Sequence, residues 1–66
     1  MTHLEKLAKS YEVENYFDYI IESQMNGNFE QVRELAKRLK RNELVRFCAY
    51  ACADIVGREA MRTLMK

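Results

Sequence analysis

From Leu44 to Val56 the chain reads Leu-Val-Arg-Phe-Cys-Ala-Tyr-Ala-Cys-Ala-Asp-Ile-Val, and only Arg46 and Asp54 interrupt its apolar character. A surface helix carries one apolar stripe and a polar back. A helix made from this stretch is apolar nearly all round and needs cover on more than one side. The rest of a 66-residue chain is short of material for that cover, because so small a domain buries only about 60% of the surface its unfolded form exposes. Small chains commonly answer the shortage with disulfides, a metal or oligomerisation. The expectation is self-association or the binding of a partner.

The remaining sequence predicts a single all-α domain over residues 1–66. There is no proline, and glycine occurs only at positions 27 and 57, which suits helices. Thr2-His3-Leu4-Glu5 matches a capping box, and a short helix follows with Leu4, Leu7, Ala8 and Tyr11 on one side. That stripe does not run straight into the next one, Val13, Phe17, Ile20, Ile21 and Gln24, so a break is expected near residues 10–12, with Ser10 able to cap a second start. The first main helix then spans about 13–25. Asn26-Gly27-Asn28 stops it, glycine being the preferred left-handed residue just past a helix end. Asn28 and Gln31 suggest a second capping box. The next helix covers about 29–40, with Phe29, Val32, Ala36 and Leu39 as its stripe and Leu35 at the border. Asn42 is placed to cap the third, whose stripe is Leu44, Phe47, Cys48, Ala51 and Ile55. Beyond it, either Gly57 ends the helix and a short fourth one starts, or one continuous helix presents a second face. The architecture expected is a three-helix bundle: an antiparallel αα-hairpin, the apolar third helix, and room for short flanking helices.

Net charge is only +1, so bulk electrostatics select no partner. The distribution says more. Glu14, Asp18 and Glu22 recur every four residues on one border of the first main helix, and Arg33, Lys37 and Arg41 do so on the second. In a hairpin turning near residue 27, position 14 faces 41, 18 faces 37 and 22 faces 33. A charge seam is expected there, although each exposed pair contributes only about 0–1 kcal/mol.

Little in the sequence suggests chemistry. Cys48 and Cys52 lie one helical turn apart, which does not favour a disulfide. Structural zinc takes four ligands, and His3, the only histidine, is distant in sequence. The cysteines are expected as small core residues, with no metal or cofactor. His3 has no nucleophile suggested beside it, and no glycine-rich phosphate loop is present. A non-enzymatic protein is therefore expected. No secretory signal is visible and the longest apolar run is too short to span a bilayer, so a cytoplasmic location with free thiols is expected, without a membrane partner.

Three residue sets remain as candidate contacts. The small and apolar side chains Val45, Ala49, Cys52, Ala53 and Val56, extended by Met61 and Leu64, compose a homodimer seam on the second face of the third helix; methionine surfaces adapt readily to partners. Tyr11, Asn15, Tyr16 and Tyr19 lie in an acidic context, and tyrosine is frequent where proteins meet. Lys37, Arg38, Lys40, Arg41 and Arg46 are the one basic concentration and would serve a nucleic-acid interface. That alternative is weaker, because the helix following Arg41-Asn42 is the apolar one and has few groups to read bases.

Tyr16-Phe17-Asp18-Tyr19-Ile20-Ile21-Glu22-Ser23, followed by Asn26-Gly27-Asn28 and Gln31-Val32-Arg33-Glu34-Leu35, resembles a pattern in small uncharacterised helical proteins of tailed bacteriophages. It covers residues 16–35 and carries no catalytic residue. The resemblance implies a phage accessory protein that binds and inhibits or modulates a host bacterial factor, such as a defence or CRISPR system, in the host cytoplasm. The alternative is a small dimeric nucleic-acid-binding or transcription-regulating protein, and a third class is a purely structural assembly component.

Overall fold

The computed structural model describes residues 2–65. The described chain is all-helical: α1 (His3–Ser10), α2 (Tyr16–Met25), α3 (Phe29–Lys37), α4 (Arg41–Ala51) and α5 (Ile55–Met65). The predicted flanking helices thus take a full share of the architecture. α5 is as long as α4 and packs against α2, α3 and α4, whereas α1 packs against α2.

The helix ends follow local chemistry. Thr2 caps α1 as expected: its hydroxyl accepts from the Glu5 amide at 3.1 Å, and the Glu5 carboxylate accepts from the Thr2 amide at 3.4 Å. α1 stops where a break was expected, and it does so without glycine. Glu12 adopts φ +58°. The Val13 amide donates to the Ala8 carbonyl at 2.9 Å and the Glu12 amide to the Lys9 carbonyl at 3.1 Å, the paired bonds of a Schellman ending. α2 ends in the same way around Gly27 at φ +77°, with Asn28 donating to Ser23 and Gly27 to Gln24.

Three expected caps are placed differently. Asn15, not Ser10, caps α2, its side-chain oxygen accepting from the Phe17 and Asp18 amides at 3.0 and 3.2 Å. That short acceptor lies two and three residues before the donors it satisfies. Asn28 precedes α3 but makes no side-chain cap bond; its amide donates instead to the Gln31 side chain at 2.7 Å. α4 begins before Asn42, with Lys40 at the cap position. Lysine has no acceptor to offer, so the start is held from one side only: the Glu43 carboxylate accepts from the Lys40 amide at 2.7 Å.

The stretch 44–56 is not one helix. α4 ends at Ala51, Cys52 to Asp54 form a turn, and α5 starts at Ile55. Asp54, one of the two polar residues in the run, opens α5: its carbonyl accepts from Arg58 at 3.0 Å and its side chain from the Val56 amide at 3.3 Å. Gly57 therefore neither ends a helix nor lies in the middle of a continuous one. It is buried inside α5, where a Cβ would meet the Ala51 carbonyl oxygen at 2.2 Å. Glycine is required there for the close approach of the α4 end to α5.

The core is built on α2. Tyr16, Phe17, Ile20 and Ile21 meet Val32, Leu35 and Ala36 of α3, Phe47 and Ala51 of α4, and Ala60 of α5, with Ala8 from α1. Phe17 and Phe47 contact edge to face at 5.3 Å, an arrangement aromatic rings prefer. The buried side of α5 is made of small residues, Gly57, Ala60 and Thr63, which let α2 and α3 come close. Thr63 donates to the Gln24 side chain at 2.7 Å. Phe29 and Ile55, expected within the apolar stripes, are exposed. No helix among the described residues is long and apolar enough to cross a membrane.

Candidate protein-binding surfaces

The sequence brings three tyrosines to one side of the molecule. Tyr11 closes α1, and the Schellman turn returns the chain so that Tyr16 and Tyr19, on α2, meet it. The Tyr11 ring lies 5.9 Å from that of Tyr16 and 5.8 Å from that of Tyr19. Tyr16 does not belong to a contact surface: it is 1% exposed, and its hydroxyl donates to the Leu35 carbonyl at 2.7 Å. Burial, reinforced by the neighbouring Tyr11 and Glu43, pushes its pKa well up despite the opposing charge of Arg38. Tyr16 is a neutral structural donor.

Tyr11 and Tyr19 remain half-exposed. Tyr19 lies over its neighbours rather than pointing away from them, and its hydroxyl accepts from Gln31 Nε2 at 2.7 Å. The Arg38 guanidinium stands 6.0 Å from the Tyr11 ring centroid, within cation–π range. Beside Tyr11 runs an open cleft of about 420 Å³, lined by Asn28, Glu30, Gln31, Glu34 and Leu35. Asn15 is exposed, but its side-chain oxygen is committed to the α2 cap. The accessible part of this set is therefore Tyr11 and Tyr19, flanked by Gln31 and Arg38, which the sequence did not single out for this role.

The seven residues expected to form the self-association seam divide between two environments. Val45, Ala49, Cys52 and Ala53 are exposed on α4 and the turn after it, and Val45 is 63% accessible. Val56, Met61 and Leu64 are half-buried and pack against the core. The split follows from the break at 52–54, which turns α5 inward. Cys48 is half-buried and Cys52 exposed, both as free thiols, so neither is the enclosed core residue expected. Ile55, Met25 and Met65 add exposed apolar surface elsewhere, at 71%, 66% and 81%. Tyr50 borders the α4 face; its ring lies 5.6 Å from Phe17, and its hydroxyl donates to the Asp18 carboxylate. That bond, then burial, raises the Tyr50 pKa.

The expected charge seam does not form. Asp18 is engaged by Tyr50 of α4, while Arg33 and Lys37 line a cleft with Leu44 of α4 and Leu64 of α5. Glu14, Asp18 and Glu22 instead line a separate cleft with Val13, Asn15 and Tyr19. Lys37, Arg38, Lys40, Arg41 and Arg46 are all exposed. Among the described residues the one basic–acidic side-chain contact within salt-bridge distance is His3 with Glu43, whose carboxylate oxygens lie 2.8 and 3.0 Å from the His3 Nδ1.

Glu43 is the polar residue that sequence reasoning missed. It is buried at 5% exposure. Burial pushes its carboxyl pKa up, but the Lys40 amide, the His3 hydrogen bond and the charges of His3 and Lys40 together outweigh that, and the net direction is down. The signal available was its place three residues after Lys40, where a helix start can use a backward-reaching glutamate. The long-range partner, His3, leaves no local signature.

No group of three or more His, Cys, Asp or Glu among the described residues is placed to hold a metal ion. No family model, curated protein or solved structure matches the chain.

Proposed function

We propose that the protein is a non-enzymatic binding module: a phage-type accessory protein that engages a host bacterial protein and inhibits or modulates it, acting in the host cytoplasm. The observation that carries this reading is the half-exposed Tyr11–Tyr19 pair beside the open cleft on α3. Tyrosine supplies a large amphipathic contact area at low conformational cost and is enriched among residues that dominate binding energy. Self-association through Val45, Ala49, Cys52 and Ala53 belongs to the same reading, because these outward side chains would be covered by a second copy.

The test is affinity capture from bacterial lysate with the wild-type protein and with Tyr19→Ala, both verified as helical by circular dichroism. The reading expects a stoichiometric protein partner retained by the wild type and lost by the variant. Equal recovery of every captured protein by both would overturn the tyrosine surface.

A second reading, a small nucleic-acid-binding dimer, is favoured by one observation: Lys37, Arg38, Lys40, Arg41 and Arg46 all project into solvent. It predicts binding to duplex DNA that falls steeply with salt and with Arg38→Glu. Arg38 also stands over Tyr11, so the measurement that separates the readings is the salt dependence.

A further inference from the structure

α3, α4 and α5 leave between them a groove that neither the tyrosines nor the outer face of α4 uses. Its floor is Ala36 of α3, Leu44 of α4 and Leu64 of α5, with Arg33 and Lys37 at the rim of a cleft of about 370 Å³. Arg33 also borders a second cleft of about 280 Å³, lined by Phe29 and, from α5, Glu59, Arg62 and Thr63. Arg33 thus borders both clefts. Along this path the rim carries three bases, Arg33, Lys37 and Arg62, against one acid, Glu59, and all four are exposed. Phe29 is 46% exposed, unusual for the first apolar residue of a helix that otherwise buries its stripe.

We infer that this groove docks an acidic amphipathic helix of a partner protein, with its apolar side chains on Leu44, Leu64 and Phe29 and its carboxylates on Arg33, Lys37 and Arg62. The inference rests on the reading of the chain as a protein-binding module and adds a site distinct from the tyrosine surface. Three features select this occupant. Both clefts are open to solvent, whereas a small-molecule site encloses most of its ligand. α3 extends from Phe29 to Lys37, about 12 Å at ~1.5 Å per residue, which matches roughly two turns of a helix laid in a groove. Arg33 and Lys37 are one turn apart, so carboxylates at i and i+4 on the partner meet both. Arginine offers a fork suited to a carboxylate. An apolar floor between cations is poorly suited to a nucleic-acid backbone, which is anionic and has no aliphatic ridge to place there.

The test uses a fluorescein-labelled helical peptide of about 18 residues, with leucines at i, i+4 and i+7 and glutamates flanking them, and a twin in which lysine replaces every glutamate. Anisotropy titration of the whole protein should show saturable binding of the glutamate peptide, at least tenfold tighter than the twin. Arg33→Glu combined with Lys37→Glu should weaken it tenfold or more. Phe29→Asp, at an exposed position that leaves the core intact, should weaken it about fivefold. Each variant is checked for wild-type helicity, and Tyr19→Ala should bind the peptide as the wild type does. No saturation by the glutamate peptide up to about 1 mM, a free energy near −4 kcal/mol, overturns the proposal. So does equal binding of the twin, or displacement of the peptide by duplex DNA together with indifference to Phe29→Asp, which marks a polyanion site. Loss of the groove site with Tyr19-dependent capture intact leaves the tyrosine reading standing. Loss of that capture with peptide binding intact removes the tyrosine surface alone.

Discussion

Glu43 shows how much a single side chain can organise. Its carboxylate accepts from the Lys40 amide and from His3, so one buried charge fixes the start of α4 and ties it to α1. Its folded-state pKa lies below its ordinary 4.5. The folded protein therefore binds fewer protons than the unfolded chain as pH falls through that region. The stabilisation is present above about pH 4.5 and is lost as the pH drops through the depressed value. Urea unfolding between pH 3 and 7 should show this acid loss in the wild type and a flatter profile in Glu43→Gln. At Tyr16 the hydroxyl bond to the Leu35 carbonyl should be worth about 0.5–1.5 kcal/mol, because that carbonyl also accepts from the Arg38 amide and is not orphaned by Tyr16→Phe. Chemical denaturation measures the difference. Neither long-range tie was legible in the sequence. Glu43 was only one acid among bases, and Tyr16 sat in a polar context that suggested exposure. Both depend on partners 40 and 19 residues away, beyond the reach of any local pattern.

Among the elements, the legible parts were those set by near neighbours in sequence. The Thr2–Glu5 box, the break after Ser10 and the Asn-Gly-Asn turn all lie where residue chemistry put them. The apolar periodicity of α2 likewise marked Phe17, Ile20 and Ile21 for the core. The division of residues 44–56 was missed because periodicity weighs apolar content and discounts a single aspartate. Asp54 outweighs its apolar neighbours by satisfying the amides of a new helix. The charge seam failed for a related reason: equal spacing on two helices does not say which flank the other helices occupy. Two substitutions probe the helix ends. Glu12 holds a left-handed conformation that costs a non-glycine residue about 1–2 kcal/mol, offset in part by the extra unfolded-state freedom of glycine. Glu12→Gly should stabilise the protein by up to about 1 kcal/mol, seen as a higher melting temperature. Gly57→Ala should do the opposite, although alanine is the better helix former by about 1 kcal/mol. The new methyl would press on the backbone of Ala51, which has no rotamer to yield, and a loss of about 1–3 kcal/mol is expected.

For the whole molecule, the apolar run from Leu44 to Val56 is covered on one side and exposed on another. Phe47 and Ala51 are enclosed, while Val45, Ala49, Cys52 and Ala53 face outward. If that face joins two copies, sedimentation should show a dimer at micromolar concentration that Val45→Glu with Ala49→Glu converts to monomer. A wild-type monomer throughout removes the self-association arm and leaves the tyrosine surface to stand by itself. The His3–Glu43 tie also has a consequence for how the bundle can come apart. α1 rests on α2 and is clasped to α4 through the Glu43 carboxylate, so only acid strong enough to protonate Glu43, below its ordinary 4.5, loosens this latch. Amide-exchange protection should then fall first along residues 3–10 as the pH drops below the ordinary carboxylate range, while residues 16–25 stay shielded, and Glu43→Gln should show the loss of protection already at neutral pH. Peeling that segment back would part the Tyr11 and Tyr19 rings, whose 5.8 Å contact joins the end of α1 to α2.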